Sequence, residues 1–272
     1  SQIGREYVIM KYILVTGGYG GMGAETAKTL AESGFTVFAL DKKVGNAENG
    51  IIPIKADITD EDSVKSAALE IGKVTDSLFA IIHFAGIYML DSLVEMSSSD
   101  FKKIFGINLY GAFLINRTFM PFLKKGSRII ITTSELAPLD PLPFTGIYAV
   151  SKAALDRYAY SLRMELQLLG TDVSVIRAGA VKTGMLGAST DALSAFCAKT
   201  ELYSCNAERF RRIVDSVEAK SVSPEKIASK VLKILKKKHP SFAYRINGNP
   251  WLKLYGILPK RLQLFAIRLI LR

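Results

Sequence analysis

A glycine-rich turn between an apolar run and a helix-forming stretch constrains the fold of this chain more than any other feature. The apolar residues 12–16 end in Gly17-Gly18-Tyr19-Gly20-Gly21-Met22-Gly23, and an alanine-rich stretch then extends to about Ser33. Glycines allow a tight turn and a close approach of the backbone to a pyrophosphate, and a helix N-terminus offers free N–H groups. Strand, glycine turn and helix in this order predict a dinucleotide site. A merely flexible turn would need neither flanking element.

Apolar runs recur along the chain, with helix-permissive stretches between them. After the first run they cover residues 35–40, 51–55, 78–84, 127–133, 172–177 and 241–246. Near-continuous apolar runs are typical of parallel strands that are covered on both faces. We therefore predict an α/β fold, a doubly wound parallel sheet of the Rossmann type with right-handed crossovers. Residues 1–249 would form this single domain, and residues 250–272 a helical C-terminal extension.

Composition limits the class of protein. The 272 residues are 49% apolar, which is enough for one large core, and no apolar run reaches the length of a bilayer span. Cys197 and Cys205 match no zinc spacing, so we predict no metal site and reduced thiols in the cytoplasm. Residues 206–272 carry 16 Lys and Arg against 4 Asp and Glu. Without a zinc-finger or RNP-like pattern, these charges indicate solvated helix faces rather than a nucleic-acid partner.

An acid at the end of the second apolar run bears on the choice of cofactor. Asp41 follows residues 35–40 and stands 18 residues after Gly23. A carboxylate there can accept hydrogen bonds from the adenosine ribose hydroxyls and would repel a 2′-phosphate. Lys42 and Lys43 point the other way, because a basic neighbour can pair with that phosphate. The sequence favours NAD, with NADP as the alternative.

Tyr148 and Lys152 are the leading candidates for proton transfer. Four residues on a helix place the phenol and the ammonium on one face, about 6 Å apart along the axis. A cation at that distance is expected to lower the pKa of the phenol. Such a phenol can exchange a proton with an alcohol or a ketone near neutral pH.

From Lys11 to about Thr183 the chain resembles the short-chain dehydrogenase/reductase family, and is similar to its hydroxysteroid and retinol dehydrogenase-like members. The matching motifs are Thr16-Gly17-x-x-x-Gly21-x-Gly23, Asp57, Ala85-Gly86, Asn108 within Ile107-Asn108-Leu109-Tyr110-Gly111, Ser134, Tyr148-x-x-x-Lys152, and Thr183 within Ala178-Gly179-x-x-x-Thr183. The resemblance implies a nicotinamide cofactor. The residues that would contact it are Gly17, Tyr19, Gly21, Met22, Gly23, Asp41, Asp57, Ile58, Ala85, Gly86, Tyr148, Lys152, Val181 and Thr183.

The resemblance also implies reversible hydride transfer between the cofactor and a secondary alcohol or ketone. Tyr148 would exchange the proton with the substrate oxygen, Ser134 would donate to that oxygen, and Lys152 would bind the nicotinamide ribose. Asn108 would hold a water on the proton path. Ser134 stands 14 residues before Tyr148, one more than is usual, so Thr133 remains an alternative. A protein that binds the dinucleotide as a sensor or scaffold without turnover is the competing function class.

His83 marks a departure from the family pattern. His83-Phe84 stands where the family has two asparagines before Ala85-Gly86. Because its neighbours are apolar, we expect His83 to be a buried structural residue rather than a catalyst.

The substrate side is rich in apolar residues. Residues 136–144, and a lid over about 184–222, carry aliphatic and aromatic side chains that either wall a pocket or simply pack the lid. We expect a small lipophilic alcohol or ketone, such as a hydroxysteroid, bile acid or retinoid. A small polar carbonyl compound is the alternative substrate.

Two interpretations of residues 250–272 stay open. This amphipathic segment carries five cations and no acid. It could lie in a membrane interface, which would make the protein peripheral to a membrane. It could equally pack on the body or across a homodimer or tetramer.

Overall fold

A parallel sheet organises the described chain, residues 11–217 and 221–272 of a computed structural model. Its seven strands have the order β3-β2-β1-β4-β5-β6-β7. In chain order they are β1 (Tyr12–Thr16), β2 (Thr36–Asp41), β3 (Ile51–Lys55), β4 (Leu78–His83), β5 (Leu123–Thr132), β6 (Asp172–Ala178) and β7 (Ala243–Ile246). This confirms the predicted doubly wound parallel sheet. β5 begins four residues earlier than the apolar run at 127–133 indicated.

Helices connect the strands and cover both faces of the sheet. They are α1 (Gly21–Glu32), α2 (Glu61–Gly72), α3 (Ser98–Phe105), α4 (Gly111–Phe119), α5 (Gly146–Leu166), α6 (Gly184–Lys199), α7 (Ser204–Val217), α8 (Pro224–Leu235), α9 (Pro250–Ile257) and α10 (Lys260–Leu271). Some start where the sequence supplies a cap. Asp60 accepts hydrogen bonds from the first turn of α2, and Ser97 does so for α3. A π-helical turn, Gly106–Tyr110, joins α3 to α4.

Adjacent residues of a strand face opposite cores, which explains why the strands read as continuous apolar runs. Leu14 packs with residues of α2, α4 and α5, whereas Val15 packs with residues of α1 and α8. Both side chains are fully buried. The two clusters hold the helices on the two faces of the sheet, as a doubly wound fold requires.

The predicted lid contains α6 and α7, and it packs with α10 in a separate aromatic cluster. Phe144 is the centre of this cluster, with ring centroids 4.6 Å from Phe196, 5.2 Å from Tyr203 and 5.3 Å from Phe210. Leu271 of α10 is buried in the same cluster. Residues 218–220 of the predicted lid lie outside the described chain. Among the residues that the structure describes, no helix is both long and apolar enough to cross a membrane.

The order of the strands places a crevice between β1 and β4, at the edge of the sheet formed by the carboxyl ends of the strands. β1 pairs with β2 on one side and with β4 on the other. The connections after these strands turn to opposite faces, so a gap opens beyond their carboxyl ends, where doubly wound folds bind ligands. The glycine turn and the loops after β4 and β5 all lie at this edge.

Candidate active site

The glycine turn is packed so closely that side chains would not fit. Gly17 has a φ of +66°, and a Cβ there would lie 2.7 Å from the backbone nitrogen of Ala85. A Cβ on Gly21 would lie 2.7 Å from Cγ2 of Thr183, and one on Gly23 would overlap the carbonyl oxygen of Gly17. The turn is therefore seated between the end of β4 and the start of the lid. It leads into α1 through Gly20, which has no side chain to accept hydrogen bonds from the amides of the first turn.

Asp41 and Asp57 flank the other side of the turn. The Tyr19 amide donates to Asp41 Oδ2 over 3.1 Å, which ties the turn to the end of β2. Lys42 forms an ion pair with Asp57 over 2.7 Å. Burial alone would raise the pKa of Asp57, but hydrogen bonds from Lys42 and Thr59 hold it below its ordinary value. Lys42 thus already has an acidic partner, and Asp41 has none among the ion pairs of the described residues.

Tyr148 and Lys152 lie near the N-terminus of α5, on one helix as their spacing predicted, and both are buried. The Lys152 ammonium lies 5.9 Å from the centroid of the Tyr148 ring. The Tyr148 ring also contacts Tyr88, with centroids 4.8 Å apart. The predicted shift of the phenol is wrong for this structure. Burial raises the pKa of Tyr148 to about 12, and a hydrogen bond with Ser134 lowers it only in part. Burial lowers the pKa of Lys152 to about 8.

Asn108 is held by the protein's own groups. It lies in the π-helical turn, a feature frequent at functional sites. Its Oδ1 accepts from the Ile87 amide over 2.8 Å, and its Nδ2 donates to the Ile87 carbonyl and to Ser151 Oγ, each over 3.0 Å. A Cβ on Gly86 would be 3.3 Å from both Asn108 Oδ1 and Lys152 Nζ. Asn108, Gly86 and Lys152 are thus brought together, with Asn108 fixing the loop after β4.

Ser134 and Thr133 point in different directions. Ser134 is buried and forms the hydrogen bond with Tyr148. Thr133 instead donates to Asp156 Oδ1 over 3.1 Å, and Asp156 forms a bidentate ion pair with Arg177. The geometry therefore favours Ser134 over Thr133 as the hydroxyl beside the phenol. The Asp156 contacts anchor the strand end from which Ser134 projects.

His83 is buried in a chain of polar groups that includes Asn116 and Tyr158. Its Nε2 lies 2.8 Å from Asn116 Oδ1, and Asn116 in turn donates to the hydroxyl of Tyr158. Burial lowers the pKa of His83 to about 4, so the ring is neutral at neutral pH. The imidazole is protonated near pH 6.5 in the unfolded chain, whereas in the folded protein it stays neutral down to about pH 4. The contribution of His83 to folding stability is therefore complete above pH 6.5 and falls as the pH decreases from 6.5 toward about 4. This agrees with a structural role.

The remaining predicted cofactor residues lie around the same edge. Met22 packs partly buried against the α1 side of the sheet, and Ile58 is buried against Gly111. Val181 is buried and bridges to Val222, and Thr183 directly precedes α6. In the described part of the chain, no group of three or more His, Cys, Asp or Glu side chains could hold a metal ion.

Three residues of the site were not singled out from the sequence. Tyr88 touches Tyr148 and also packs against the aromatic cluster of the lid, so it connects the two. Ser151 accepts from Asn108, and its position next to Lys152 was the only available signal. Phe144 has a φ of +65°, which is strained for an aromatic residue. Nothing in the sequence marked Phe144 as the centre of a cluster.

The comparisons with known proteins agree with this architecture. Residues 11–194 match the profile of a family described as short chain dehydrogenase. The chain is 33% identical over 192 residues to an NADPH-dependent 1-acyldihydroxyacetone phosphate reductase of Schizosaccharomyces pombe, a match that covers 67% of this chain and 65% of that protein. It is 32% identical over 194 residues to estradiol 17-beta-dehydrogenase 2 of Mus musculus, which covers 66% of this chain and 50% of the relative.

Two further matches extend over most of the chain. A 3-ketodihydrosphingosine reductase of Bacteroides thetaiotaomicron is 24% identical over 261 residues, which cover 94% of this chain and 96% of that protein. The crystal structure of a dehydrogenase/reductase from Sinorhizobium meliloti 1021 superposes with a TM-score of 0.69 at 25% identity, covering 88% of this chain and 94% of the other. These matches include sequence beyond the region covered by the family profile.

Proposed function

The chain belongs to the short-chain dehydrogenase family, and on that premise we propose that it interconverts a secondary alcohol and a ketone with NAD(H). The observation that carries the proposal is the group around Tyr148. A buried phenol is hydrogen-bonded to Ser134, and a lysine ammonium lies 5.9 Å from the centroid of its ring. That lysine lies against Gly86, and the preceding residue, Ala85, packs on Gly17 of the glycine turn. This combination suits proton transfer next to a bound dinucleotide.

Each member of the group has a proposed task. With its pKa raised to about 12, Tyr148 is protonated at neutral pH and can give a proton to the oxygen of a ketone as that oxygen becomes an alkoxide. Ser134 donates to the same oxygen and stabilises its developing charge. The Lys152 ammonium favours the phenolate that Tyr148 then becomes. In the reverse reaction the phenolate removes the proton from the alcohol.

Asn108 has a positioning task. Its amide is hydrogen-bonded to both backbone groups of Ile87 and to Ser151. These contacts fix the loop after β4 next to Lys152. A water held by Asn108, as in the family, would continue the proton path from Lys152.

The glycine turn fits an NAD(P) pyrophosphate. The turn leaves no room for a Cβ at Gly17 or Gly23, and the uncapped start of α1 offers amide donors. Asp41 would take the adenosine ribose, while Ala85, Gly86, Val181 and Thr183 would line the rest of the site. The bound cofactor would supply or accept the hydride. The carboxylate of Asp41 supports NAD, whereas the Schizosaccharomyces relative is named as NADPH-dependent.

An apolar substrate is supported by the surroundings of Tyr148. Tyr88 links Tyr148 to the aromatic cluster around Phe144, in which Phe196 and Phe210 are buried. The names of the relatives refer to an acyldihydroxyacetone phosphate, estradiol and ketodihydrosphingosine. These molecules share an extended apolar part. We therefore propose a lipid-like alcohol or ketone as the substrate.

The proposal is tested by nicotinamide absorbance with a panel of lipid-like and small polar ketones. The expected result is reduction of one or more long-chain or steroidal ketones with NADH, and slower reduction of small polar carbonyl compounds. A preference for the polar compounds would overturn the lipid assignment. Tight NADH binding without turnover on any compound would favour the sensor or scaffold alternative instead.

Replacing Asp41 tests the choice of cofactor. In Asp41→Ala the negative charge that opposes a 2′-phosphate is gone, so the preference for NADH over NADPH is expected to fall by about tenfold or more. Asp41→Asn keeps an acceptor for the Tyr19 amide and isolates the effect of charge. The ratio of kcat/KM for the two cofactors is the measurement. A wild-type enzyme that already prefers NADPH would show that Asp41 does not have this role.

Residues 11–249 form the catalytic part in this proposal. An apolar surface where the π-helical turn meets α3, α4 and α5 is proposed as the contact with a second copy. A groove of about 420 Å³ there is lined by Phe105, Leu109, Phe113 and Tyr158, among others. Tyr110 also lines this groove, and the rings of Tyr110 and Phe113 are both partly exposed. Association of this face with its own copy would bury these rings in a homodimer, or in one interface of a tetramer.

A further inference from the structure

Helices α9 and α10 expose a set of large apolar side chains to solvent. This set, called the C-terminal face below, consists of Trp251, Leu254, Ile257, Leu258, Leu262, Leu264, Phe265, Leu269 and Ile270. Trp251 and Leu269 are each 71% exposed, and Phe265 is 63% exposed. Single exposed apolar residues are ordinary on any protein. Nine of them on two consecutive helices and their connection mark an interaction surface.

The two sides of α10 differ sharply in their surroundings. Gln263 and Leu271 are buried, and Gln263 donates to Asp140 Oδ2 over 2.8 Å and to the Leu258 carbonyl. On the other side, Leu262, Phe265 and Leu269 follow one another at helical spacing and remain exposed. The helix is thus docked on the protein by one side while the opposite side stays apolar and uncovered.

Helices α9 and α10, which carry the C-terminal face, are attached to the loops around the candidate active site. Lys260 forms an ion pair with Asp140 in the loop after β5. The Asn249 amide at the start of α9 donates to Glu135 Oε2 over 2.5 Å, and Glu135 directly follows Ser134. Asn206 of the lid donates to the carbonyl of Leu271 over 2.6 Å. Whatever covers this face therefore lies close to the substrate side of the molecule.

Charge distinguishes between the possible occupants. Residues 250–272 carry Lys253, Lys260, Arg261, Arg268 and Arg272 and no acid. On a helical wheel Arg261 and Arg268 both lie along one side of the exposed row of α10, next to Phe265. A two-fold contact between copies would press this face against itself and bring cations against cations. An anionic lipid surface accommodates both the apolar row and the arginines beside it, and tryptophan is favoured at that depth.

We propose that α9 and α10 form an interfacial docking element, and that its occupant is the surface of an anionic bilayer. The C-terminal face would enter the boundary between headgroups and acyl chains, with Arg261 and Arg268 at the level of the phosphates. A cavity of about 390 Å³ lies between α10, the lid and Phe144, and Arg268 and Leu271 line it. A docked protein would hold this cavity beside the bilayer. The docking does not depend on the catalytic proposal.

The test is cosedimentation of the full chain with vesicles of phosphatidylcholine mixed with phosphatidylglycerol, and with vesicles of phosphatidylcholine alone. Strong binding is expected only to the mixed vesicles, and added salt should weaken it. Combining Leu262→Ser, Phe265→Ser and Leu269→Ser should lower partitioning by roughly 100-fold or more, because three buried apolar side chains are lost. Combining Arg261→Gln with Arg268→Gln should lower it by roughly 30-fold.

A matched control separates this surface from general stickiness. Leu168 and Leu169, on the turn after α5, are 82% and 61% exposed, and Leu168→Ser with Leu169→Ser should leave vesicle binding unchanged. Circular dichroism verifies that each variant is folded. Wild-type protein that stays in the supernatant with mixed vesicles overturns the proposal, as does unchanged binding by the triple serine variant. A wild-type dimer that the triple variant turns into a monomer, without vesicle binding, would assign the face to a second copy.

Discussion

Tyr148→Phe is expected to lower kcat for ketone reduction by about 10³-fold, because the substrate oxygen loses its proton donor. The substitution keeps the ring that contacts Tyr88 at 4.8 Å and removes only the hydroxyl and its hydrogen bond with Ser134. One hydrogen bond contributes about 1 kcal/mol to stability, so the variant should remain folded. The affinity for NADH, measured by fluorescence titration, should be nearly unchanged.

Tyr158→Phe is the matched control for this experiment. Tyr158 lies on the same helix, and its hydroxyl accepts a hydrogen bond from Asn116 over 3.1 Å. The control variant therefore loses a comparable interaction without touching the candidate site. It should keep full turnover. Activity of Tyr148→Phe within about threefold of wild type would contradict the assigned role, since a lost general acid costs far more.

The raised pKa of Tyr148 also sets the pH dependence of the two directions. Reduction needs the protonated phenol, which is present at all pH values below its pKa, so its rate should be nearly flat around neutral pH. Oxidation needs the phenolate, whose fraction rises with pH, so its rate should increase from about pH 7 to about pH 9. The Lys152 ammonium, with a pKa of about 8, is lost over the upper part of that range and would limit the increase.

The sheet could be predicted because its signal is local. Each strand is buried on both faces, so its residues are apolar without alternation, and Leu14 and Val15 illustrate how neighbours enter different cores. The glycine turn was equally readable, because tight packing against Ala85 and Thr183 permits only glycine at Gly17 and Gly21. Burial on both faces and close backbone packing each restrict the residue types at the positions concerned, so both can be recognised in the sequence.

The environment of the catalytic group could not be read in the same way. Spacing on one helix predicted that Tyr148 and Lys152 share a face, which they do. It also suggested a lowered phenol pKa, but the pKa depends on how Ile104 and Tyr88 enclose the ring. These residues come from segments that meet only in the folded chain. Burial outweighs the contributions that sequence neighbours supply.

The C-terminal segment shows a different limit. Its composition left packing on the body and binding to a membrane as alternatives. The structure shows that the segment divides its residues between two environments, since Gln263 and Leu271 are buried while Phe265 is exposed. Which side of an amphipathic helix meets the protein depends on the partners available, here Asp140 and Asn206. Those partners lie more than 60 residues away in the chain.

Gly23→Ala is expected to weaken NADH binding by about 100-fold or more, since the turn must deform to accept a methyl group. The new Cβ would overlap the carbonyl oxygen of Gly17 and lie 3.1 Å from Cα of Gly18. Helix α1 cannot move away freely, because Thr26, Ala27 and Leu30 bury it against the sheet. The Gly17 carbonyl must shift instead, and this shift disturbs its hydrogen bond from the Gly20 amide, 3.0 Å in length. The amides that face a pyrophosphate then lose their alignment.

Gly20→Ala provides the control within the same turn. A Cβ on Gly20 would approach the Gly17 carbonyl no closer than 3.4 Å, an ordinary contact, and its φ of −78° suits any residue. Thermal unfolding of both variants separates loss of the site from loss of the fold. Unfolding of Gly23→Ala at a temperature near that of wild type, together with weak NADH binding, would show that the strain acts on the phosphate site itself. Undiminished NADH affinity in that variant would mean that the cofactor does not rest on this turn.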